Sequence, residues 1–583
     1  MAQLDVSMST PPSVPQAQLT LPDLLNPTSW QLPGWQSPSS PSEQSSDQPL
    51  QAETLDRLDA SLALLLRYRN SLRPFSRLSS DILVLIFTEL ARDSSNPRNN
   101  AFGAYPWMGV SQVCYVWRSV ALTTPILWTS ISTRFRTAAL ACLERSGEAA
   151  LSLVVSDRAD DTKASAVLTA VLPHMHRIRH LHVPCNMLKV NNGTIHQMLE
   201  PLLTSEAPLL ETFETIKERA MTGWTTLPTL FSGRTPNLTH LKVHYMLPQP
   251  TCAMLSKLRV LSFCGRKHSP VPLPVSDFID LIEHCPLLEF IIAGKTTFSP
   301  ARDDDKRQVR LDHLKLLQLG RVKASSAADI INRLIIPECS LDLKVWFERY
   351  DNNKFFMGIP LPQDLEPTHH LRDIRKMHVA FMNGYEGIDI TCQTANSPFR
   401  ISGILEQDTL ANLGDMDSIS GIVFQSLIKA FDLENLEELA FTEVRNTYRW
   451  SAMSKSVWMD TFRRMPKLKT LQVTTDGGYD EGYCRSILAA LSERDDVTGR
   501  LFCPALENLH VWQDKTWSTL RVFMMAKERA ESGHPLKRVS MQLSHYTSFN
   551  DSAETDLPIL RQYVERVDLE PSDLEFRELP ASP

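Results

Sequence analysis

Glycine is scarce in this sequence, at 21 of 583 residues, which is half the usual share of about 7%. The shortage disfavours folds that depend on glycine-rich phosphate-binding loops, and neither a GxxxxGK nor a GxGxxG motif occurs. The ten cysteines stand singly, with no CxxC pair, so a disulfide framework is not expected. An HExxH motif is also absent. We therefore expect no cofactor, no metal ion and no local catalytic motif.

Long hydrophobic runs and an excess of basic charge are missing as well. The longest apolar runs, such as residues 82–87, are far shorter than the about 20 residues that a spanning helix needs. The first residues lack the basic and apolar regions of a secretory signal. The formal net charge of −7 disfavours a generally basic nucleic-acid binder. We expect an intracellular protein, cytoplasmic and/or nuclear, with no membrane or nucleic-acid partner.

The composition changes sharply along the chain. Residues 1–50 are rich in Pro, Ser and Gln and contain no Lys or Arg, which predicts a disordered tail. Residues 53–73 carry leucines at heptad-like spacing and predict a helix that packs on the next module. Arg69 occupies the remaining heptad position, which argues against a long coiled coil. Residues 573–583 are predicted to form a C-terminal tail.

Residues 76–131 predict a small helical module. Ser79 and Ser80 can cap a helix, and Asp81 suits its first turn. The following residues 82–87 are apolar on every face of the helix, yet so small a module can cover only one side. The uncovered side implies a partner or a neighbouring domain. A second helix is predicted to start near Pro106, and a turn closes the module at residues 125–128.

Three sequence strings in this module carry a resemblance to a known family. LSSDILVLIF at 78–87, VSQVCYVWRSVA at 110–121 and TPILW at 124–128 resemble the F-box of fungal, basidiomycete-type F-box proteins. Ser79 stands where that motif usually has Pro, and Asp81 where it usually has Glu. The alternative is a helical hairpin that packs only on the downstream domain.

The resemblance implies a partner and a set of contact residues. F-box proteins join the Skp-family adaptor of a cullin–RING ubiquitin ligase. The residues that would divide between the module's own core and the adaptor interface are Leu78, Ile82, Leu83, Ile86, Phe87, Val110, Val113, Cys114 and Trp117.

A sequence motif of the form Leu-x-x-Leu-x-apolar recurs over residues 140–572. Its second Leu, or the equivalent residue, falls at 181, 213, 241, 261, 291, 317, 341, 377, 439, 471, 509, 539 and 567. We call these residues the anchors. The long gap after 377 is predicted to hide one more copy near residues 399–401. The mean period of about 30 residues is typical of leucine-rich repeats. The predicted fold class is therefore α/β, a short helical F-box module followed by an irregular leucine-rich-repeat solenoid. The alternative is a non-repeat α/β domain.

The residue after each anchor is predicted to point away from the core. From these outward positions we take as candidate substrate-binding residues Lys242, Gln318, Gln472, His510 and, two further along its strand, Trp512. Trp512 ranks first, because aromatic side chains often dominate binding energy. His180 and His182 would share one strand face, where exposed histidines are the simpler interpretation than a metal site.

No catalytic constellation is found, and we expect a non-enzymatic protein. The predicted function is a substrate receptor of a Skp–cullin–F-box ubiquitin ligase that binds an unknown protein substrate through its repeats. The first alternative is a leucine-rich-repeat scaffold that acts outside any ligase. A hydrolase whose nucleophile and histidine meet only in space is the second.

Overall fold

The computed structural model describes a set of ranges along the chain. They are residues 48–94, 105–156, 161–188, 197–216, 224–227, 230–249, 253–265, 272–299, 307–337, 339–350, 354–356, 373–382, 387–394, 397–405, 431–443, 454–475, 482–496, 498–513, 519–543 and 557–571. The predicted N-terminal tail, apart from residues 48–50, and the predicted C-terminal tail lie outside these ranges. The chain divides into two compact units, with the division between Val154 and Val155.

The first unit is mainly helical. Its α-helices are α1 (Gln48–Ser71), α2 (Ser80–Ser94), α3 (Tyr115–Thr123) and α4 (Arg136–Arg145). Its 3-10 helices are Pro74–Arg77, Pro106–Gln112 and Pro125–Trp128. Strands β1 (Ser130–Ser132) and β2 (Leu151–Val154) pair in parallel.

The structure agrees with the helix start that the sequence predicts for α2. Ser79 lies just before the helix, and its Oγ accepts a hydrogen bond from the backbone N–H of Ile82 at 3.4 Å. Asp81 lies in the first turn, where a carboxylate is favoured by the helix dipole. Helix α1 begins at Gln48 rather than at residue 53, because the residues before 53 include good helix formers.

The single helix predicted from Pro106 is instead two short elements. The 3-10 helix Pro106–Gln112 ends before Cys114, which is extended with φ −159° and ψ 171°, and α3 begins at Tyr115. Gly109 and the β-branched Val110 lower the α-helical propensity of this segment. Both elements on either side of the break at Cys114 contact α2.

The second unit contains the remaining strands and helices. Its longer strands are β3 (Ile178–Pro184), β4 (Thr212–Ile216), β6 (His240–His244), β8 (Val260–Cys264), β10 (Phe290–Gly294), β13 (Leu316–Lys323), β15 (Ser340–Tyr350), β17 (Ile374–Met382), β18 (Gly387–Thr394), β19 (Pro398–Leu405), β20 (Glu438–Glu443), β21 (Thr470–Thr475), β22 (Asn508–Gln513), β23 (Leu536–Leu543) and β24 (Val564–Pro571). Its shorter strands are β5 (Thr225–Thr226), β7 (Met246–Leu247), β9 (Leu273–Pro274), β11 (Phe298–Ser299), β12 (Val309–Arg310), β14 (Leu334–Ile335) and β16 (Lys354–Phe356). Its α-helices are α5 (Asp161–Val171), α6 (Glu200–Thr204), α7 (Val275–Glu283), α8 (Ala324–Asn332), α9 (Lys455–Arg463), α10 (Gly482–Leu491) and α11 (Thr519–Glu531).

The predicted anchors face one another across neighbouring parallel strands. The first series of pairs is Leu181–Phe213, Phe213–Leu241, Leu241–Leu261, Leu261–Ile291, Ile291–Leu317 and Leu317–Leu341. The second series is Met377–Leu439, Leu439–Leu471, Leu471–Leu509, Leu509–Val539 and Val539–Val567. The strand assignment of every anchor is thereby confirmed.

The middle of the sheet departs from chain order. A strand does lie at the position predicted near residues 399–401, since Phe399 of β19 pairs directly with Leu341 of β15. Strand β18 then pairs antiparallel with both β19 and β17, and β17 pairs in parallel with β20. The order across the sheet is therefore β15, β19, β18, β17, β20. A hairpin-connected meander occupies the place where the sequence predicted single strands in succession.

The core of the second unit lies on one face of this sheet. Residues alternate along β8 and β10 between buried and half-buried, as expected for a strand covered on one side. Neighbouring helices such as α9 and α10, and α10 and α11, contact each other. The second unit is thus a mixed α/β structure with one large sheet, and the described strands do not close into a barrel.

Candidate functional site

The first candidate surface lies on the helical unit and begins with its core. Leu83 and Phe87, one turn apart on α2, are 1% and 0% exposed. The Phe87 ring meets the ring of Trp117 edge to face, with centroids 5.2 Å apart. Trp107 packs on Trp128 in the same way at 5.0 Å. The first of these contacts joins α2 to α3, and the second joins the 3-10 helices Pro106–Gln112 and Pro125–Trp128.

The nine residues predicted to divide between core and interface do differ in exposure. Leu83, Phe87 and Val110 are buried, and Cys114 and Trp117 are half-buried. The exposed members are Leu78, Ile82, Ile86 and Val113. Ile82 and Val113 leave 45% and 50% of their surface accessible, which is unusual for such side chains on elements that pack together.

Further apolar side chains of the same elements are exposed too. They are Leu85, Leu90, Tyr115, Val116 and Ile126. We call the exposed apolar residues of this unit from Leu78 to Ile126 the hairpin surface. The apolar run on every face of α2 predicted an uncovered side, but it did not show that α3 would add Tyr115 and Val116. Exposed apolar side chains concentrated on neighbouring elements make this a candidate interaction surface.

The second candidate surface is the half-buried side of the large sheet, which we call the strand face. All five predicted substrate-binding residues lie on it and are half-buried. Gln472 and His510 are directly opposite each other on β21 and β22. The rings of His510 and Trp512 are 6.2 Å apart. These three residues form one group, whereas Lys242 and Gln318 lie on β6 and β13.

Lys242 belongs to a small charged cluster. Its Nζ contacts Glu214 of β4, and His182 Nδ1 of β3 lies 3.4 Å from the other carboxylate oxygen. Burial raises the pKa of Glu214, but the contacts from His182 and Lys242 outweigh it and bring the pKa down to about 2. The cluster is therefore a carboxylate held ionised between two basic groups. Lys242 is engaged within the protein.

Gln318 is also paired. Its Nε2 donates to Asp342 Oδ2 at 2.7 Å. Beyond Asp342, Arg400 of β19 donates two hydrogen bonds to Asp389 of β18. The charged side chains of the meander thus begin one strand beyond Asp342, the partner of Gln318.

Between these charged regions lies an apolar area that the sequence analysis did not single out. Val260, Phe290 and Leu316 are opposite one another on β8, β10 and β13, and Ile292 follows on β10. All four are half-buried, and we call them the apolar strand patch. Val260, Phe290 and Leu316 each precede an anchor, whereas the candidate residues were taken from positions after the anchors, and the Leu-x-x-Leu motif is weak around Ile292. Applying the two-residue strand period to β10 would have found Ile292.

Paired charges border this patch at the start of the strands. Glu289 contacts both Arg259 and Lys315, and these hydrogen bonds, Lys315 first, lower the pKa of Glu289. Lys315 Nζ also lies 6.0 Å from the centre of the Phe290 ring. At the opposite end of the patch, Gly294 and Gly320 are paired across β10 and β13. Neither residue adds a side chain to the patch.

Metal ligands and reactive thiols were sought among the described residues. No group of three or more His, Cys, Asp or Glu side chains among them could hold a metal ion. Burial raises the pKa of Cys142, Cys285, Cys339 and Cys503 to about 12. These thiols are protonated at neutral pH and are poor nucleophiles. No helix in the described ranges has the length and hydropathy to cross a membrane.

A comparison with protein-family models finds no match for this chain, and no curated protein matches it.

Proposed function

We propose that the chain is the substrate receptor of a Skp–cullin–F-box ubiquitin ligase. In this proposal the module at residues 76–131 is an F-box that binds the Skp-family adaptor. The strands and helices from β3 onward form an irregular leucine-rich-repeat solenoid that binds a protein substrate. The receptor performs no bond chemistry itself. It raises the effective concentration of substrate lysines near the ubiquitin-loaded enzyme that the ligase recruits.

The hairpin surface is the observation that carries the proposal. Leu83 and Phe87 already satisfy the core of the unit, while Ile82, Leu85 and Ile86 on the other side of α2 are exposed. Leaving such side chains in water is unfavourable, and burying each one fully is worth about 1.5–3 kcal/mol. A partner that covers α2 and α3 would recover this free energy. The F-box resemblance supplies the identity of that partner.

The regularity of the large sheet supports the repeat interpretation. The anchors are paired in register over most of its length, and successive helices pack against each other. Units of one strand and one helix cannot bury their apolar faces alone and gain stability by stacking. Such stacks present a long strand face, which is suited to binding a protein.

The direct test is binding of the purified Skp-family adaptor to the full-length chain. The Ile86→Asp variant places a charge on the hairpin surface at a position that is 39% exposed, so the fold is expected to persist. Burying that charge against the adaptor would weaken binding by at least about a hundredfold. Met524→Asp is the matched control, because Met524 is 57% exposed on α11 of the second unit. Normal adaptor binding by a folded Ile86→Asp protein would contradict the proposal.

The alternative function is a leucine-rich-repeat scaffold outside any ligase. The resemblance of the strand pattern to leucine-rich repeats is independent of the F-box, so this function would survive loss of the adaptor interaction. Failure of the wild-type chain to bind the adaptor, together with capture of a protein that depends on the strand face, would favour it.

A further inference from the structure

Helix α1 presents an unusual amount of apolar surface. It has 24 residues and so extends for about 36 Å, yet none of its described side chains is buried. The exposed leucines on or just after it are Leu55, Leu58, Leu62, Leu65, Leu66 and Leu72. Near its C-terminal end the Arg67 guanidinium lies 4.0 Å from the centre of the Tyr115 ring. The expected packing of the leucines on the next module is not found.

Most of these leucines form a single stripe. Residues 55, 58, 62, 65, 69 and 72 follow the alternating spacing of three and four that is typical of coiled-coil core positions. Leucine occupies every one of these positions except 69, where Arg69 stands. The stripe is too short for a long coiled coil, but it is long enough for one short helix pair.

Charge is distributed unevenly along the same helix. The first half carries Glu53, Asp56 and Asp59 with Arg57 as its one base, and Arg57 is paired with Glu53 at 2.8 Å. The second half and the residues just after it carry Arg67, Arg69 and Arg73, with no acidic residue. Two copies of this helix attract each other when they run in opposite directions and repel each other when they run in the same direction.

We propose that α1 is a self-association helix that pairs antiparallel with α1 of a second copy of this chain. In the symmetric register Leu62 packs against Leu65 of the other copy, and Leu55 against Leu72. Leu58 then meets the aliphatic part of Arg69, whose guanidinium reaches Asp59 of the other copy. In this register Arg69 can form an ion pair with Asp59 of the other copy. In a parallel pair Arg69 would instead face Arg69 of the other copy.

The inference does not rest on the proposed function. Adaptor binding uses the hairpin surface on α2 and α3, whereas self-association uses the leucine stripe of α1. The two can therefore fail separately.

The first experiment measures the oligomeric state of the full-length chain by sedimentation at several micromolar concentrations. Wild type is expected to be a dimer, and Leu62→Asp a monomer throughout. Ala60→Asp is the matched control, because it adds the same charge on the opposite side of the helix from the stripe and should leave the dimer intact. A monomeric wild type, or a dimer that Leu62→Asp leaves unchanged, overturns the proposal. If the wild type is a monomer and Leu62→Asp weakens adaptor binding, the proposal is also overturned, because the adaptor would then be the partner that covers the leucine stripe.

The second experiment tests direction. Arg69→Asp should weaken the dimer by about tenfold, and adding Asp59→Arg to the same chain should restore it. Oxidation of a mixture of Leu58→Cys and Arg69→Cys chains should join the two different chains above the background of the native cysteines. Leu55→Cys should not cross-link to itself, because the two positions would be about 25 Å apart and a disulfide needs Cα atoms within about 7 Å. Efficient Leu55→Cys cross-linking would overturn the antiparallel arrangement.

Discussion

Inside the core of the second unit, Nη2 of Arg529 donates a hydrogen bond of 2.8 Å to the carbonyl oxygen of Cys503. Nη1 donates to the neighbouring carbonyl of Phe502 at 3.0 Å. Arg529 is 0% exposed, and Cys503 has a positive φ of 47°. The arginine of α11 thus satisfies two buried carbonyl oxygens of the strained turn that precedes strand β22.

Replacing this arginine should destabilise the second unit. In Arg529→Leu both carbonyl oxygens would stay buried without a donor, at a cost of about 2–4 kcal/mol in the free energy of unfolding. Arg529→Lys keeps the charge but cannot reach both carbonyls with the same geometry, so it should recover only part of the loss. Urea denaturation followed by fluorescence measures both variants. Wild-type stability in Arg529→Leu would show that the two hydrogen bonds are dispensable.

Neighbouring residues of α2 should respond differently to truncation. Leu83 is 1% exposed, so Leu83→Ala should lower the free energy of unfolding of the first unit by about 2–5 kcal/mol. Ile82 is 45% exposed, so Ile82→Ala should change it by less than about 1 kcal/mol while weakening adaptor binding. Thermal unfolding and adaptor binding, measured on the same preparations, separate the two effects. Equal destabilisation by both substitutions would contradict the division of α2 into a core side and a surface side.

The cluster around Glu214 predicts a pH dependence of stability. Its folded-state pKa of about 2 lies below the ordinary value of 4.5, so the ionised carboxylate stabilises the folded state above pH 4.5. That contribution, about 1–3 kcal/mol after allowance for partial exposure, is lost as the pH falls from 4.5 towards 2. Glu214→Gln should therefore lose less stability than wild type over this interval, as measured by denaturant unfolding at pH 5 and pH 3. Identical losses in the two proteins would rule out the cluster as the source.

The repeat pattern predicted strand positions better than it predicted strand order. Phe399 was identified as a strand residue because it lies in the same apolar alternation as the other anchors. Its pairing with Leu341 could not be read from the pattern, because parallel and antiparallel strands share the same two-residue period. The register between distant segments depends on which arrangement buries the most apolar surface. Local alternation contains no information about that choice.

Exposure in the helical unit was only partly predictable for a related reason. The apolar run of α2 indicated that some face must be uncovered, but it did not identify which. The interruption at Cys114 decides this, because it turns Trp117 towards Phe87 and leaves Val113 and Tyr115 in solvent. A single uninterrupted helix, as predicted, would have distributed these residues differently.

Substrate binding on the strand face should depend on the apolar strand patch and on Trp512. Ile292→Lys places a charge in the patch without removing core volume, since Ile292 is half-buried on the open side of β10. Trp512→Ala removes the aromatic side chain, for which losses of about 2 kcal/mol or more in binding energy are common. Substrate proteins are expected to accumulate in cells when the hairpin surface is mutated. Both Ile292→Lys and Trp512→Ala should reduce the amount of those proteins recovered with the chain.

Lys242→Ala and Gln472→Arg complete this experiment. Lys242 is already engaged with Glu214, so its truncation should affect binding less than Trp512→Ala does. Gln472→Arg adds bulk directly opposite His510 and should interfere with a substrate that reaches Trp512. Quantitative affinity purification with adaptor recovery as the internal standard compares all four variants. If every variant retains the same proteins at wild-type levels, the strand face is not the binding surface, because its apolar, aromatic and polar positions will each have been altered without effect.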